Sequence, residues 1–453
     1  MPLLASQLEQ LTQICGADSV HTAAATCQAY SVDGLMPAAV VEPSRVEQVC
    51  ELVKWARGQR IRLVPAGSGR LLALGDIPDG VDLVVSLARL NRIVHYDAGD
   101  LTLGVEGGIS LAQVQETLAS KNQFLPVNPP YGSEACLGGL VATNLSGPWR
   151  YAYGSWRDFV LGMRVVTGYG ELVRTGGRVV KNVAGYDLAK LFIGSLGTLG
   201  IIVEANFRVF PQPAQTASWV SGFNELRAAL TASTRIVHSV LQPLAVELLD
   251  STVTKLLSWQ TPLAGSRWLL VVQAGGVAKV LARYEQELSQ LARQAQAAFF
   301  TQVVNKEEET LWAGICNYAR AVREASPAAT LLKASLPLNR LEAFLIEAMK
   351  VAERSELSAA VNVRAGTGIV YFALLPAALE EATLEKLAPA CTEIIHLGSK
   401  LSGSVVVEWC PTALKRKVNV WGALRNDFAL MQGLKQAFDP DRVMNPGRFL
   451  GRL

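Results

Sequence analysis

The groups in this chain best suited to chemistry are backbone amides rather than side chains. Glycine is densest between Leu125 and Phe207, where PVNPPYGSEACLGGLVATNLSGPWRYAYGSWRDFVLGMRVVTGYG is followed by GGRVVKNVAGYDLAKLFIGSLGTLGIIVEANFRVF. A backbone that omits side chains this often is one that a flat or anionic group approaches closely. A dinucleotide is both flat and anionic. An earlier loop, AGSGRLLALG, follows the short apolar run IRLVP. Such a loop presents successive N–H groups to an anion because no Cβ blocks the approach, although a tight turn explains the same two glycines. The loop lacks the Gly-Lys-Ser/Thr of a P-loop, and Leu72 stands where a Rossmann fingerprint has its third glycine.

Side-chain candidates are sparse. The four histidines, His21, His95, His238 and His396, include no pair at metal-ligand spacing, so no metal is expected. The seven cysteines are scattered without a Cys-x-x-Cys, which argues against a zinc ribbon or an iron–sulfur cluster held within this chain. Buried free thiols are the simpler expectation. With 42 basic and 39 acidic residues the net charge is only +3, and the densest basic run is Lys415, Arg416, Lys417. Three charges read as a solvated loop, not as a nucleic-acid site. Arg320, Arg364, Lys333 and Glu408 are polar residues that could face a bound cofactor, or serve as ordinary residues of the second half.

These groups need elements to hold them. At 453 residues, half of them hydrophobic, the chain is expected to form two or three well-buried domains. Ser44 and Glu47 read as a capping box before a helix carrying Val46, Val49, Cys50 and Val53, with Gly58 at its C-terminal cap. IRLVP is then a strand, VDLVVSL another, and RIVHYDAGDLTLGVEGG two strands about an Asp/Gly turn, with LAQVQETL helical after them. Pro126, Pro129 and Pro130 fix an extended approach to the glycine-rich stretch. Gly168 and Gly170 mark a hairpin turn. Gly194, Gly197 and Gly200 recur every third residue, and close contact with a ligand explains them better than membrane packing among the neighbouring charges.

After Pro213 glycines thin and strands alternate with helices. WLLVVQ is a strand, and Val277, Val280, Leu281, Tyr284, Leu288 and Leu291 form one helical stripe. NRLEAFLIEAMKVA, the hairpin SAAVNVRAGTGIVYFAL, LEEATLEKLAPA and SGSVVVEWC continue the alternation, which suggests a ferredoxin-like α+β cap. No internal repeat is visible by eye. No run reaches the ~20 apolar residues of a membrane span, and the N-terminal MPLLASQLEQ lacks the features of a signal peptide, so a cytoplasmic location is expected.

The motifs P-x-G-x-G, PPYG-x-EA-x-x-GG, YGS-x-RDFVLG and KNVAGYDL-x-x-L-x-x-GS-x-GTLGII together resemble the vanillyl-alcohol-oxidase-type FAD-binding family. Within it they are most similar to the FAD-binding E-subunit family of glycolate oxidase (glycolate dehydrogenase). The similarity spans about residues 35 to 212, and the tail FDPDRVMNPGRF is similar too. The resemblance implies an α+β protein with a two-lobed FAD-binding domain over 1–212 (core 35–212), a cap over 213–410, and a segment 411–453 returning to the first domain. It implies that Pro65, Ala66, Gly67, Ser68, Gly69 and Arg70 bind the FAD pyrophosphate. Gly138, Gly139, Ala142, Thr143, Asn144 and Gly147 would line the flavin and its phosphates, with Pro130 beside them. Gly154, Ser155 and Asp158 would lie near the adenosine half. Gly197, Thr198, Gly200, Ile201 and Ile202 would run along the isoalloxazine and ribityl chain, with Asn445 close by. Ser68, where many relatives have Gly, and Arg70, where a small hydroxyl residue is common, depart from the pattern.

The resemblance also implies oxidation of a small 2-hydroxy acid such as glycolate. That chemistry needs a base and an arginine clamp for the carboxylate. With no histidine in the glycine-rich stretch, non-covalent FAD is expected. The shortage of histidines favours a subunit that holds flavin while a paralogous FAD-containing catalytic subunit carries the substrate site and an iron–sulfur subunit takes the electrons. Contact with the inner membrane would then be peripheral, through those partners. A self-sufficient dehydrogenase for D-lactate-like acids and a flavin-less scaffold are the alternatives.

Overall fold

The computed structural model describes residues 3–132, 134–178, 186–259 and 265–453. Residues 181–185 of the KNVAGYDL motif and Ser133 of PPYGSEA lie outside the described residues.

Two small sheets form the first half of the molecule. In the first, Ala39–Val41, Leu83–Ser86 and Leu63–Ala66 run parallel, and Val20–His21 adds an antiparallel edge. Leu83, Val84 and Val85 are buried on both faces, as expected of a continuous apolar run in a parallel sheet. The helix Val46–Gln59 covers one face through Val49, Leu52, Val53 and Ala56. Its start falls one residue later than the sequence suggests. Gln48, not Glu47, accepts from the amides of Ser44 and Arg45, at 2.9 and 3.2 Å. Its end is capped by Arg60 in the left-handed region (φ 56°), and Gly58 stays within the helix.

The second sheet is antiparallel, in the order Ile93–Asp97, Thr102–Glu106, Gly200–Arg208, Val160–Thr167, Leu172–Gly176. The expected hairpin at Gly168 and Gly170 joins the last two strands. The segment CLGGLVATN forms the helix Leu137–Thr143, which packs with Leu111–Ala119 on this sheet.

The remaining strands make one eight-stranded sheet between Gln215 and Trp409. It consists of two consecutive strand–helix–strand–strand–helix–strand units. The first, from Gln215–Phe223 to Phe299–Val303, has spatial order fourth, first, third, second. The second, from Thr330–Ser335 to Ser404–Trp409, has the mirrored order and joins the first through Ala245–Asp250 against Ala359–Arg364. The cap is therefore a doubled ferredoxin-like unit. The duplication is invisible by eye because it repeats topology, not residues. One face is covered by four long helices, among them Ala278–Gln294, which buries Leu281, Tyr284, Leu288 and Ala292 at helical spacing. The other face carries Ser251–Leu256, Asn305–Cys316 and Tyr318–Ala325 and meets the first half through Trp149.

The chain then returns to the first sheet. Met444 bridges Leu63, and the Asn445 amide donates to the Leu63 carbonyl at 2.7 Å. Among the described residues no helix is long and apolar enough to cross a membrane.

Candidate functional site

A cavity of about 730 Å³, measured to its open mouth, lies where the two small sheets meet. Its floor is the end of the strand Leu63–Ala66 and the loop after it. One wall is the helix Leu137–Thr143, and the other is the start of the strand Gly200–Arg208. Pro65, Ala66, Gly67, Ser68, Gly69 and Arg70 all line it, as do Gly138, Gly139, Ala142, Thr143, Gly197, Gly200, Ile201, Ile202 and Asn445.

The loop is built to leave its donors free. Among the described residues, the amides of Gly67, Ser68, Gly69, Arg70 and Leu71 have no acceptor. The five carbonyls that follow are instead drawn to two buried cations from the tail. Arg448 donates to the carbonyls of Leu72, Leu74 and Asp76, and Lys415 to those of Ala73 and Gly75 at 2.8 Å each. Asp33 balances both, accepting from Lys415 at 2.9 Å and Arg448 at 3.0 Å. Burial pushes the Lys415 and Arg448 groups below their ordinary ranges, and the Asp33 carboxylate opposes that shift.

Three further observations fit an absent polar ligand with a flat, apolar part. Asn445 donates to the Leu196 carbonyl at 2.7 Å, yet its Oδ1 is buried without a partner. The Nε of Arg448 is likewise buried and unpaired. Orphaned buried polar atoms of this kind call for a missing partner. Finally, a Cβ on Gly139 would meet nothing closer than Cys136 Sγ at 3.6 Å, so its bare face is not filled by protein.

At two of the lining glycines the missing side chain serves packing instead. A Cβ on Gly67 would sit 1.7 Å from Cys136 Sγ, and one on Gly200 would lie 2.7 Å from the Val166 carbonyl oxygen. Those glycines permit packing of the chain on itself. Pro130, Asn144, Gly147, Gly154, Ser155, Asp158 and Thr198 are not brought to the cavity wall. Asn144 caps the helix Leu137–Thr143 with φ 51°. Gly147 makes room for the Asn128 backbone. Asp158 accepts from the Ser155 amide and hydroxyl at 2.7 and 2.9 Å, a helix cap to which Gly154 is packed. The Thr198 carbonyl accepts from buried Lys435 at 2.7 Å. Conversely, Leu71, Leu72, Leu74, Leu87, Gly107, Cys136, Leu196 and Arg448 line the cavity without having been anticipated. Arg448 follows Asn445 in the same NPGRF motif, which was its available signal.

The four cap candidates separate. Arg320 is exposed and paired with Glu134 at 3.1 Å and Glu324 at 2.8 Å. Lys333 pairs with Glu408 at 3.2 Å. Arg364 is buried on the cap face, donating to the Ser146 carbonyl at 2.7 Å and lying 4.0 Å from Glu247. Burial pushes the Glu247 carboxyl up to about 8. Among the described residues no three His, Cys, Asp or Glu side chains are grouped to hold a metal.

Comparison with known proteins gives two family matches. Residues 37–176 match the FAD binding domain family, and residues 212–449 match the family described as FAD linked oxidases, C-terminal domain. The chain is 26% identical to glycolate oxidase subunit GlcD of Bacillus subtilis (strain 168) over 454 residues, 98% of this chain and 96% of that one. It is 40% identical to glycolate oxidase subunit GlcE of Escherichia coli (strain K12) over 204 residues, 44% of this chain and 56% of that one. In fold it is similar to 4-ethylphenol oxidase from Gulosibacter chungangensis, with a TM-score of 0.77 at 18% identity, covering 98% of this chain and 96% of that one.

Proposed function

Because this chain belongs to the FAD-linked oxidase family, we propose that it holds FAD non-covalently in the cavity between its two small sheets, for the oxidation of a small 2-hydroxy acid. The observation that carries this reading is the run of unpartnered amides from Gly67 to Leu71. A pyrophosphate would accept from them. Asn445 and Arg448 offer their orphaned atoms to the same ligand, and the bare face of Gly139 admits a flat ring. FAD, when bound, supplies two-electron redox chemistry. The protein's residues bind it, orient it and exclude water through Leu71, Leu72, Leu74 and Ile202.

The assembly we propose is a glycolate oxidase/dehydrogenase-type complex in which this chain is the FAD-binding subunit. A paralogous FAD-containing partner carries the substrate site, and an iron–sulfur subunit accepts the electrons. The similarity to two proteins named as glycolate oxidase subunits supports it, as does the lack of histidine in the cavity lining. In this reading the chain works in the cytoplasm and reaches a membrane only through its partners. A second reading, a self-sufficient dehydrogenase for D-lactate-like acids, is favoured by an arginine-bearing cleft that adjoins the cavity.

The test is the purified chain itself. Bound flavin with no turnover of glycolate or D-lactate by an artificial acceptor fits the subunit reading. Turnover by the isolated chain moves the assignment to the second, and a colourless protein that takes up no FAD rejects both.

A further inference from the structure

Beside the FAD cavity lies a wider cleft of about 1440 Å³, measured to its open mouth. Gly69, Arg70 and Leu72 line both spaces, so the two adjoin at this loop. The far side is made by the helix Tyr318–Ala325 and by the segment from Trp409 to Thr412, where the cap runs back to the first half.

The cleft is lined by three arginines and three carboxylates, but their pairing is uneven. Arg70 is paired with Glu134 at 2.7 Å, and Arg320 with Glu134 and Glu324. Asp33 is committed to Lys415 and Arg448. Arg323 is left over: among the described residues it has no carboxylate partner. One of its nitrogens donates to the Tyr131 hydroxyl at 2.8 Å, and its guanidinium stacks on Trp409, 3.6 Å from the ring centroid. Stacking fixes the guanidinium plane while leaving its edge available for a two-pronged contact with a carboxylate. Tyr131 is itself held in an unusual state. Its φ is 58°, a region bulky residues rarely adopt, and its amide is tied to Asn317 Oδ1 at 3.0 Å.

We propose that this cleft is a binding site for a small monocarboxylate, with Arg323, set by Trp409 and Tyr131, holding the carboxylate. A guanidinium with no carboxylate partner of its own among the described residues suits a single carboxylate. A phosphate would draw on Arg70 and Arg320, which Glu134 and Glu324 already neutralise. The proposal rests on the FAD reading and deepens its second form, the self-sufficient dehydrogenase, by giving the hydroxy acid a place beside the cavity on this chain.

The probe is 2-hydroxyisobutyrate, a monoanionic hydroxy acid with no α-hydrogen to lose, titrated calorimetrically into the full chain. Saturable binding is expected, weakened at least roughly tenfold in Arg323→Met, because a charge-assisted hydrogen bond is lost. Arg320→Met should bind as the parent does, and Arg323→Met should keep the parent's FAD content. No binding by the parent, or equal binding by Arg323→Met, overturns the proposal. So does loss of FAD from Arg323→Met, which would make Arg323 a cofactor residue, or displacement of the probe by lower concentrations of inorganic phosphate. A chain without flavin contradicts the FAD reading separately, since calorimetry reports on the cleft without needing the colour.

Discussion

Glu247 illustrates what burial does to one carboxyl. Both of its oxygens are buried without hydrogen-bond partners, and Arg364 at 4.0 Å only partly offsets the loss of water. Its affinity for a proton rises from 4.5 to about 8 in the folded chain. A carboxyl raised in this way contributes its full share of stability below the unfolded value, and that share is lost as pH climbs through the folded one. Denaturation midpoints should therefore fall between about pH 4.5 and about pH 8 more steeply in the parent than in Glu247→Gln. Parallel profiles for the two proteins would show that Glu247 is not protonated in the fold. His95 is half-buried on the strand Ile93–Asp97, away from the cavity wall. His95→Ala should leave flavin content unchanged, and a flavin-depleted variant would redirect attention to that strand.

At the scale of elements, the loop Gly67–Asp76 depends on a tail hundreds of residues away. Lys435 in the helix Phe428–Phe438 is buried and donates to Asp439, Thr198 and Met444, at 2.7, 2.7 and 3.0 Å. It thereby anchors the segment that presents Asn445 and Arg448. Removing one partner of a buried ion pair typically costs about 3–5 kcal/mol, so Lys435→Met should lose stability of that order and weaken FAD retention with it. A variant with the parent's unfolding midpoint and full flavin would show the tail to be dispensable. Gly200→Val should also unfold the second sheet, because the missing Cβ faces the Val166 carbonyl and not the cavity. This is where sequence reading reached its limit. The glycine loop and the Gly138–Gly139 pair stand out in the sequence as local motifs, and both line the cavity. Which glycines face a ligand and which face a neighbouring strand depends on registers such as Gly200 opposite Thr167, which spacing alone does not reveal. The same holds for Gly154, Ser155 and Asp158. Their motif reads as cofactor contact, but its polar groups are consumed by a helix cap. Arg448 and Lys415 could be seen as residues, not as the pair that draws five consecutive carbonyls away from the cavity.

At the scale of the whole molecule, this is an FAD-linked oxidoreductase with a two-lobed FAD-binding fold and an α+β cap. In the cap, the strand Trp268–Gly276 with the helix after it and the elements from Leu341 onward were legible from hydrophobic periodicity, whereas the strands Gln215–Phe223, Ala245–Asp250 and Phe299–Val303 were not. Nor was the doubling of the cap, because strand order across a sheet leaves no mark in the periodicity of any one segment. The cofactor cavity and the cleft meet at one loop, where Gly69, Arg70 and Leu72 line both. The central claim, that FAD lies against the helix Leu137–Thr143, is tested most directly by the flavin stoichiometry of Gly139→Val. Valine suits a helix at least as well as glycine does, and no protein atom crowds the position, so the fold should persist. The account predicts about one FAD per parent chain, and a folded variant with almost none. A Gly139→Val protein that retains its full complement of flavin would contradict it.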